Sequence, residues 1–281
     1  MLRPNYGLSS AYTQAELQNL WAHYAAESEL VDRYIGRVLQ KIDDLQLWAN
    51  SMVVVMADHG MSIGEHGRTG KSNFCADDKR YWPIYPEIGD VPFLIAGASI
   101  PQRQSLDLIA QPIDLLPTIC DLAGVELKTP KEIDGISFAQ QIQNDGNHHR
   151  DIAVSGCYIQ PQGSRPPRAT TPFLVTPKWG YAPVGKDGTP ELYDLTTAPM
   201  ATSNIADGNQ EIVLELHQIF ISHLIDHNAP DEFLDLWQKQ QTSQTKVESG
   251  QLTMPNLDYW TLHPIDSTFV IKGIFRWKEE R

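Results

Sequence analysis

Apolar positions early in the chain recur at helical spacing. Leu17, Leu20, Trp21 and Tyr24, then Val31, Tyr34, Ile35, Val38, Leu39, Ile42 and Leu45, line one side of a 3.6-residue repeat. Thr13 followed by Glu16 reads as a capping box at its start. The pattern runs to near Gln46, and a helix of about 30 residues leaves room for a break at Ala25–Ser28. Met52 to Met56 is then almost wholly apolar and β-branched, which predicts a short strand buried on both faces. Residues 61–90 are polar and rich in Gly and Pro, and predict a long loop of the kind that carries function. Val91 to Gly97 predicts a second buried strand, with Pro92 early enough to be tolerated. Asp114 to Gly124 predicts a short helix, Asp114 at its N-cap and Gly124 at its C-terminal end.

This alternation is that of an α/β layered domain. The pattern changes near Asn144-Asp145-Gly146-Asn147. Beyond it, Lys178–Val184 and Pro190–Leu195 flank Lys186-Asp187-Gly188 and predict a hairpin, and Ile212–Ile225 predicts an amphipathic helix. The expected organisation is an α/β part over residues 1–145, a small α+β subdomain over 146–230 and an extension over 231–281.

Charge and cysteine content narrow the function classes. The net charge of -13 argues against non-specific nucleic-acid binding, which needs a basic face. No run approaches the length of a membrane-spanning helix, and Met1–Tyr6 lacks the apolar core of a signal peptide. Cys75, Cys120 and Cys157 are far apart and imply no disulfide framework or structural zinc site. Compartment is left open.

Asp58-His59-Gly60 stands at the carboxyl end of the first buried strand, where open α/β sheets bind ligands. Asp58 and His59 point to one site only if the strand stops and the chain turns, which Gly60 permits. A carboxylate and an imidazole there suit a divalent cation. The dipeptide alone equally describes a turn cap beside a satisfied polar residue. The next residues change the balance: Gly64-Glu65-His66-Gly67-Arg68-Thr69-Gly70-Lys71 places glycines and two cations beside the pair, a plausible oxyanion cradle. The spacing is not that of a Walker A loop. His66 has no assignable role. His148-His149 sits in a polar linker and reads as solvated. His217, His223 and His227 share part of a helix surface without a carboxylate partner. Trp237, Tyr259, Trp260 and Trp277 read as packing anchors.

Taken together, Asp58-His59-Gly60 after a Val-rich strand, Gly64-Glu65-His66-Gly67 and Gly70-Lys71 resemble the sulfatases of the alkaline phosphatase superfamily. Lys71-Ser72-Asn73-Phe74 is similar to the iduronate-2-sulfatase branch. Asp32 to Leu39, Val91 to Ile95, Asp114 to Thr118 and Glu191 to Leu195 resemble flanking family segments, so the resemblance spans roughly residues 13 to 225. It implies a partial alkaline-phosphatase-like mixed sheet with flanking helices and a small C-terminal antiparallel subdomain. It implies sulfuric-ester hydrolysis, with a sulfated small molecule or glycan as substrate. Asp58 and His59 match a pair of metal ligands, for calcium or sometimes magnesium, and Lys71 matches the lysine on the sulfate oxygens.

The family's nucleophile is a formylglycine made from Cys or Ser in a Cys/Ser-x-Pro-x-Arg motif, after a paired-Asp metal site. Neither precedes Asp58 here. Ser99-Ile100-Pro101-Gln102-Arg103 and Ser164-Arg165-Pro166-Pro167-Arg168 match the motif but follow Asp58, and Asp43-Asp44 and Asp77-Asp78 do not follow strands. The sequence therefore reads as the C-terminal half of a sulfatase-like hydrolase. The alternatives are a phosphodiester or phosphonate hydrolase of the same superfamily, and a non-catalytic truncated pseudoenzyme. As a fragment it is expected to be inactive alone and to associate through exposed sheet edges.

Overall fold

The computed structural model describes residues 7–71, 81–98, 100–101, 105–128, 133–144, 148–156, 171–231, 234–235 and 237–238. The first strand, β1 (Gly7–Leu8), precedes α1 (Gln14–Asp44). Thr13 and Glu16 close the expected capping box, the Glu16 amide donating to Thr13 Oγ1 at 3.3 Å and the Thr13 amide to Glu16 Oε2 at 2.8 Å. The helix then runs 31 residues without a break at Ala25–Ser28, where no Gly or Pro interrupts the ladder. It stops at Asp44, and Gln46 turns the chain in the left-handed region (φ 54°).

β2 (Met52–Met56) follows and pairs antiparallel with β5 (Phe93–Gly97), Val54 opposite Ile95. The intervening segment is not one loop. It holds β3 (Ser62–Ile63), a 3-10 turn (Glu65–Gly67), β4 (Arg68–Gly70) and the short helix α2 (Pro86–Gly89). β4 lies between β1 and β3 in a small antiparallel sheet. The expectation that β2 and β5 are buried on both faces fails. Every β2 residue is half-buried, and Leu94 of β5 is 45% exposed. Among the described residues one side is covered, where Met56, Phe93 and Ile95 pack on Val91, Phe138 and Ile142.

α3 (Leu115–Ala123) ends as expected on Gly124 in the left-handed region (φ 66°). Asp114 holds the N-cap position, but its side chain makes no cap bond there. It accepts instead from the backbone amides of Gln111 and Ile136 and from the side chains of His149 and Arg150. His149 is therefore buried, not solvated; His148 alone of the pair faces solvent.

α4 (Ala139–Asn144) leads to the second sheet: β6 (Ala153–Ser155), β7 (Phe173–Val175), β8 (Trp179–Ala182) and β9 (Glu191–Asp194), antiparallel in sequence order. The β8–β9 pair is the expected hairpin, with Gly188 at φ 85° in its turn. Alternate residues serve two cores, as strand geometry requires. Leu174, Tyr181 and Leu192 face α5 (Gln210–Asp226), against Leu216, Phe220 and Trp237. Phe173, Ala182 and Tyr193 face the other way, against Tyr85, Ile88 and Ile109. That second core joins residues from both sides of the expected boundary at 145/146. His217 lies inside the α5 core, 3% exposed, not on a helix surface with His223 and His227. Trp237 is fully buried, and its carbonyl lies 3.0 Å from His217 Nε2.

Candidate functional site

β2 delivers Asp58 and His59 just past its last residue. The Asp58 side chain is 86% exposed and that of His59 16%. Gly60 is essential here for closeness rather than for an unusual φ. Its amide donates to the Ile88 carbonyl at 2.8 Å, and a Cβ would lie 2.0 Å from the Glu87 carbonyl oxygen. The strand end is thus clamped on α2, and any side chain at position 60 would lift it off.

His59 Nδ1 lies 2.8 Å from the Gly60 carbonyl, a pure acceptor, so Nδ1 carries the proton. Nε2 then presents a lone pair. Two groups converge on it: Asp58 Oδ2 at 3.4 Å and Lys71 Nζ at 2.5 Å. A lone pair and a carboxylate oxygen so close repel unless a cation stands with them, and the Lys71 ammonium does so. The three sequence-predicted residues thus meet at one imidazole nitrogen. Gly70, at φ 93° in the left-handed region, ends β4 and turns Lys71 towards it. A proton on Nδ1 held by a carbonyl is the arrangement that frees Nε2 to bind a metal. Among the described residues, no group of three or more His, Cys, Asp or Glu could hold a metal ion.

The second cation of the loop does not join them. Arg68 is buried, its guanidinium 3.7 Å from the centre of the Trp82 ring and bonded to the Tyr81 carbonyl. It packs the loop instead of facing solvent. His66, to which the sequence assigned nothing, is held on three sides. Its Nδ1 lies 2.8 Å from Glu87 Oε1, its Nε2 2.8 Å from the Ala201 carbonyl, and its ring stacks on Tyr85 at 3.7 Å. The flanking glycines at positive φ, Gly64 and Gly67, were the only sequence signal of such a tight turn.

The sequence model of the family described as Sulfatase matches residues 4–125. Arylsulfatase K of Xenopus laevis is 24% identical over 250 residues, 86% of this chain and 44% of its own length. Delta 4,5-hexuronate-2-O-sulfatase of Bacteroides thetaiotaomicron is 29% identical over 221 residues, 75% of this chain and 43% of its own. The solved structure of a 2-O GAG sulfatase superposes with a TM-score of 0.60 at 25% identity, covering 78% of this chain and 46% of that one. Over residues 4–125 this chain is similar to the sulfatase family. It spans less than half the length of the relatives it matches. The alkaline-phosphatase-like fold of this chain is also that of the phosphonate monoester hydrolase of Silicibacter pomeroyi, with a TM-score of 0.59 at 22% identity.

Several sulfatase-like features fall outside the described residues. Ser72, Asn73 and Phe74, the pair Asp77-Asp78, Cys75, Cys157, and the serines of both Cys/Ser-x-Pro-x-Arg matches, Ser99 and Ser164, are among them. So are Tyr259, Trp260 and Trp277. Cys120 is a half-buried free thiol, and Asp43-Asp44 closes α1 as expected. Among the described residues, no helix is long and apolar enough to cross a membrane.

Proposed function

We propose that this chain carries the Asp58–His59–Lys71 part of a sulfuric-ester hydrolase site and binds the sulfate group of a sulfated sugar. The convergence of Lys71 Nζ and Asp58 Oδ2 on His59 Nε2, at a solvent-open strand end, carries the reading. The flexible Lys71 stem lets the ammonium leave His59 for an entering anion while staying at the site. Its three donors then hold sulfuryl oxygens and stabilise the charge that grows on them as the ester breaks. Asp58 and His59 Nε2 are donors suited to a divalent cation, calcium or magnesium. Two ligands are fewer than the six or more oxygens of a tight calcium site, so they fit as part of a shell. When bound, such a cation supplies Lewis-acid polarisation of the sulfuryl oxygens. The sugar substrate class is supported by the uronate 2-O-sulfatase relative.

Calorimetric titration of the 281-residue chain with sulfate tests this. We expect weak binding that Lys71→Ala lowers at least about tenfold, the worth of one charge-assisted hydrogen bond. Unchanged affinity in that variant would overturn the assignment, and a clear preference for phosphate would favour the phosphodiester or phosphonate alternative. Calcium binding should be weak and lost in Asp58→Ala. Hydrolysis of an aryl sulfate by this chain should be negligible, because catalytic groups acting as a unit leave almost nothing when separated.

A further inference from the structure

His66 and His217 are both buried, and their partners differ in kind. His217 Nε2 faces the Trp237 carbonyl, and its Nδ1 faces the hydroxyl of Tyr181 at 2.9 Å. A hydroxyl can donate, so a neutral ring satisfies both contacts, and burial lowers the His217 pKa. His66 has no such freedom. Its Nδ1 faces a carboxylate oxygen of Glu87 and its Nε2 a backbone carbonyl, and an ionised carboxylate and a carbonyl only accept. Both ring nitrogens must therefore donate.

We propose that His66 is a positioning residue of the Asp58–His59–Lys71 site, a doubly protonated imidazole that clamps the site loop between α2 and the segment that follows β9. The clamp spans 135 residues of sequence, from the loop to Ala201. Both ends of the carbonyl bond are held in the left-handed region, His66 at φ 49° and Ala201 at φ 51°. Neither is glycine, so each conformation costs energy and persists only because the surroundings enforce it. The other jaw, Glu87, also accepts from Ser62 of β3 at 2.9 Å, and its own carbonyl is the atom pressed against Gly60. One imidazolium thus ties together the strand end bearing Asp58 and His59, the loop delivering Lys71, and the segment that follows β9.

The groups around the ring fit a resident positive charge. Tyr85 stacks on one face and Tyr193 meets its edge at 6.4 Å. Both hydroxyls donate to Glu191 Oε2, at 2.6 and 2.8 Å. Burial, and then the charge of Glu191, push both tyrosine pKa values up, so they stay neutral. Glu191 also accepts from the Lys186 amide at 3.0 Å, leaving Glu87 as the carboxylate bonded to the ring. Arg68 lies beyond Tyr85 and stabilises that tyrosine's ionised form, not His66. On His66 itself the largest effect, burial, favours the neutral ring. The hydrogen bond and charge of Glu87, the Ala201 carbonyl and Glu191 outweigh it, so the net pKa lies above the usual 6.5. The sign follows. Stabilisation by the clamp is complete below pH 6.5 and is lost as pH rises through the higher folded value.

What the clamp positions rests on the sulfate-binding reading; the charge state does not. Nitrogen-15 NMR of the full chain, labelled at histidine, reads the protons on each ring. We expect His66 to carry two protons at pH values where His217 carries one. A single proton on His66 at pH 6, with Glu87 protonated and donating to it, would overturn the proposal. Glu87→Gln should lower the proton affinity of His66 about tenfold or more. Sulfate affinity should fall with rising pH in the wild type, and in Glu87→Gln that fall should move to lower pH with His66. A purely structural role would weaken the fold without moving the profile, and that result would also overturn the proposal. Should Glu87→Gln not fold, or sulfate not bind at any pH, amide-exchange protection of Arg68–Gly70 in the wild type decides. The clamp requires that protection to drop as His66 deprotonates while that of Leu192 and Tyr193 holds, and a constant protection refutes it. Absent sulfate binding would count against the proposed function alone.

Discussion

The two ends of the described chain use apolar residues in opposite ways. In the four-stranded sheet and α5, Phe173, Leu174, Leu192 and Phe220 are fully buried, and residues of both sheet faces enter a core. In α1 the same chemistry lies open. Trp21, Tyr24, Val31, Tyr34 and Val38 are 42–58% exposed, and Leu20 is the helix's one buried residue. Among the described residues, the two-stranded β2–β5 sheet beside it is covered on a single side. Amphipathic periodicity predicts that a helix will hide a face; it says nothing about where the covering surface comes from. These side chains present apolar surface to solvent along α1. The site sits at the junction. Asp58 and His59 follow β2 directly, and Gly60 clamps that strand end on α2.

The largest test of the contrast is a pair of truncations. Phe220→Ala should cost about 3–5 kcal/mol, as for a fully buried aromatic whose cavity cannot collapse. Val38→Ala, at a position 58% exposed, should fall within about 0.5 kcal/mol of wild type. Urea unfolding of both variants measures the difference, and equal losses would erase the distinction between the two regions.

A smaller effect is expected in acid. Asp114 is fully buried at the foot of α3. Burial opposes its charge, but bonds from His149, Arg150, Ile136 and Gln111 together hold its carboxyl at about 2, below its ordinary 3.8. A carboxylate with a depressed folded pKa stabilises above its unfolded value, and that contribution disappears as pH falls from about 4 to about 2. The loss should be about 2 kcal/mol. Thermal melts of wild type and Asp114→Asn across that window should converge towards low pH. A constant gap between them would remove the charge from the account.

The smallest stability change, and the sharpest test of the open face, comes from Val31→Glu combined with Val38→Glu. We expect stability within about 1 kcal/mol of wild type for two exposed changes. Binding of a hydrophobic dye and self-association by light scattering should both drop. If neither moves, the stripe is not the sticky surface that its exposure implies.

Local features of the fold were readable wherever the cause was local. The Thr13–Glu16 box, the Gly124 stop, the β8–β9 hairpin and the limits of α5 each follow from a few adjacent residues. The meeting of Asp58, His59 and Lys71 was also legible, because twelve residues separate His59 from Lys71 and glycines punctuate the path. The sequence could not show which polar residues would be taken inside. His149 looked solvated until Asp114, 35 residues earlier, proved to be its partner. Arg68 looked like a second anion-binding cation, yet its charge lies over the Trp82 ring. His66 depends on Glu87 and Ala201, and no spacing rule joins positions so far apart. The burial of β2 was misjudged for a related reason: composition reports what a strand can bury, not how many layers it meets.

Trp237 sets where the chain can be cut. Its indole fills the α5 core and its carbonyl serves His217, so the folded unit extends at least that far. Removing it would leave a void beside Phe220 and strip an acceptor from a buried imidazole. A shortened gene ending before codon 237 should therefore yield protein that the cell degrades.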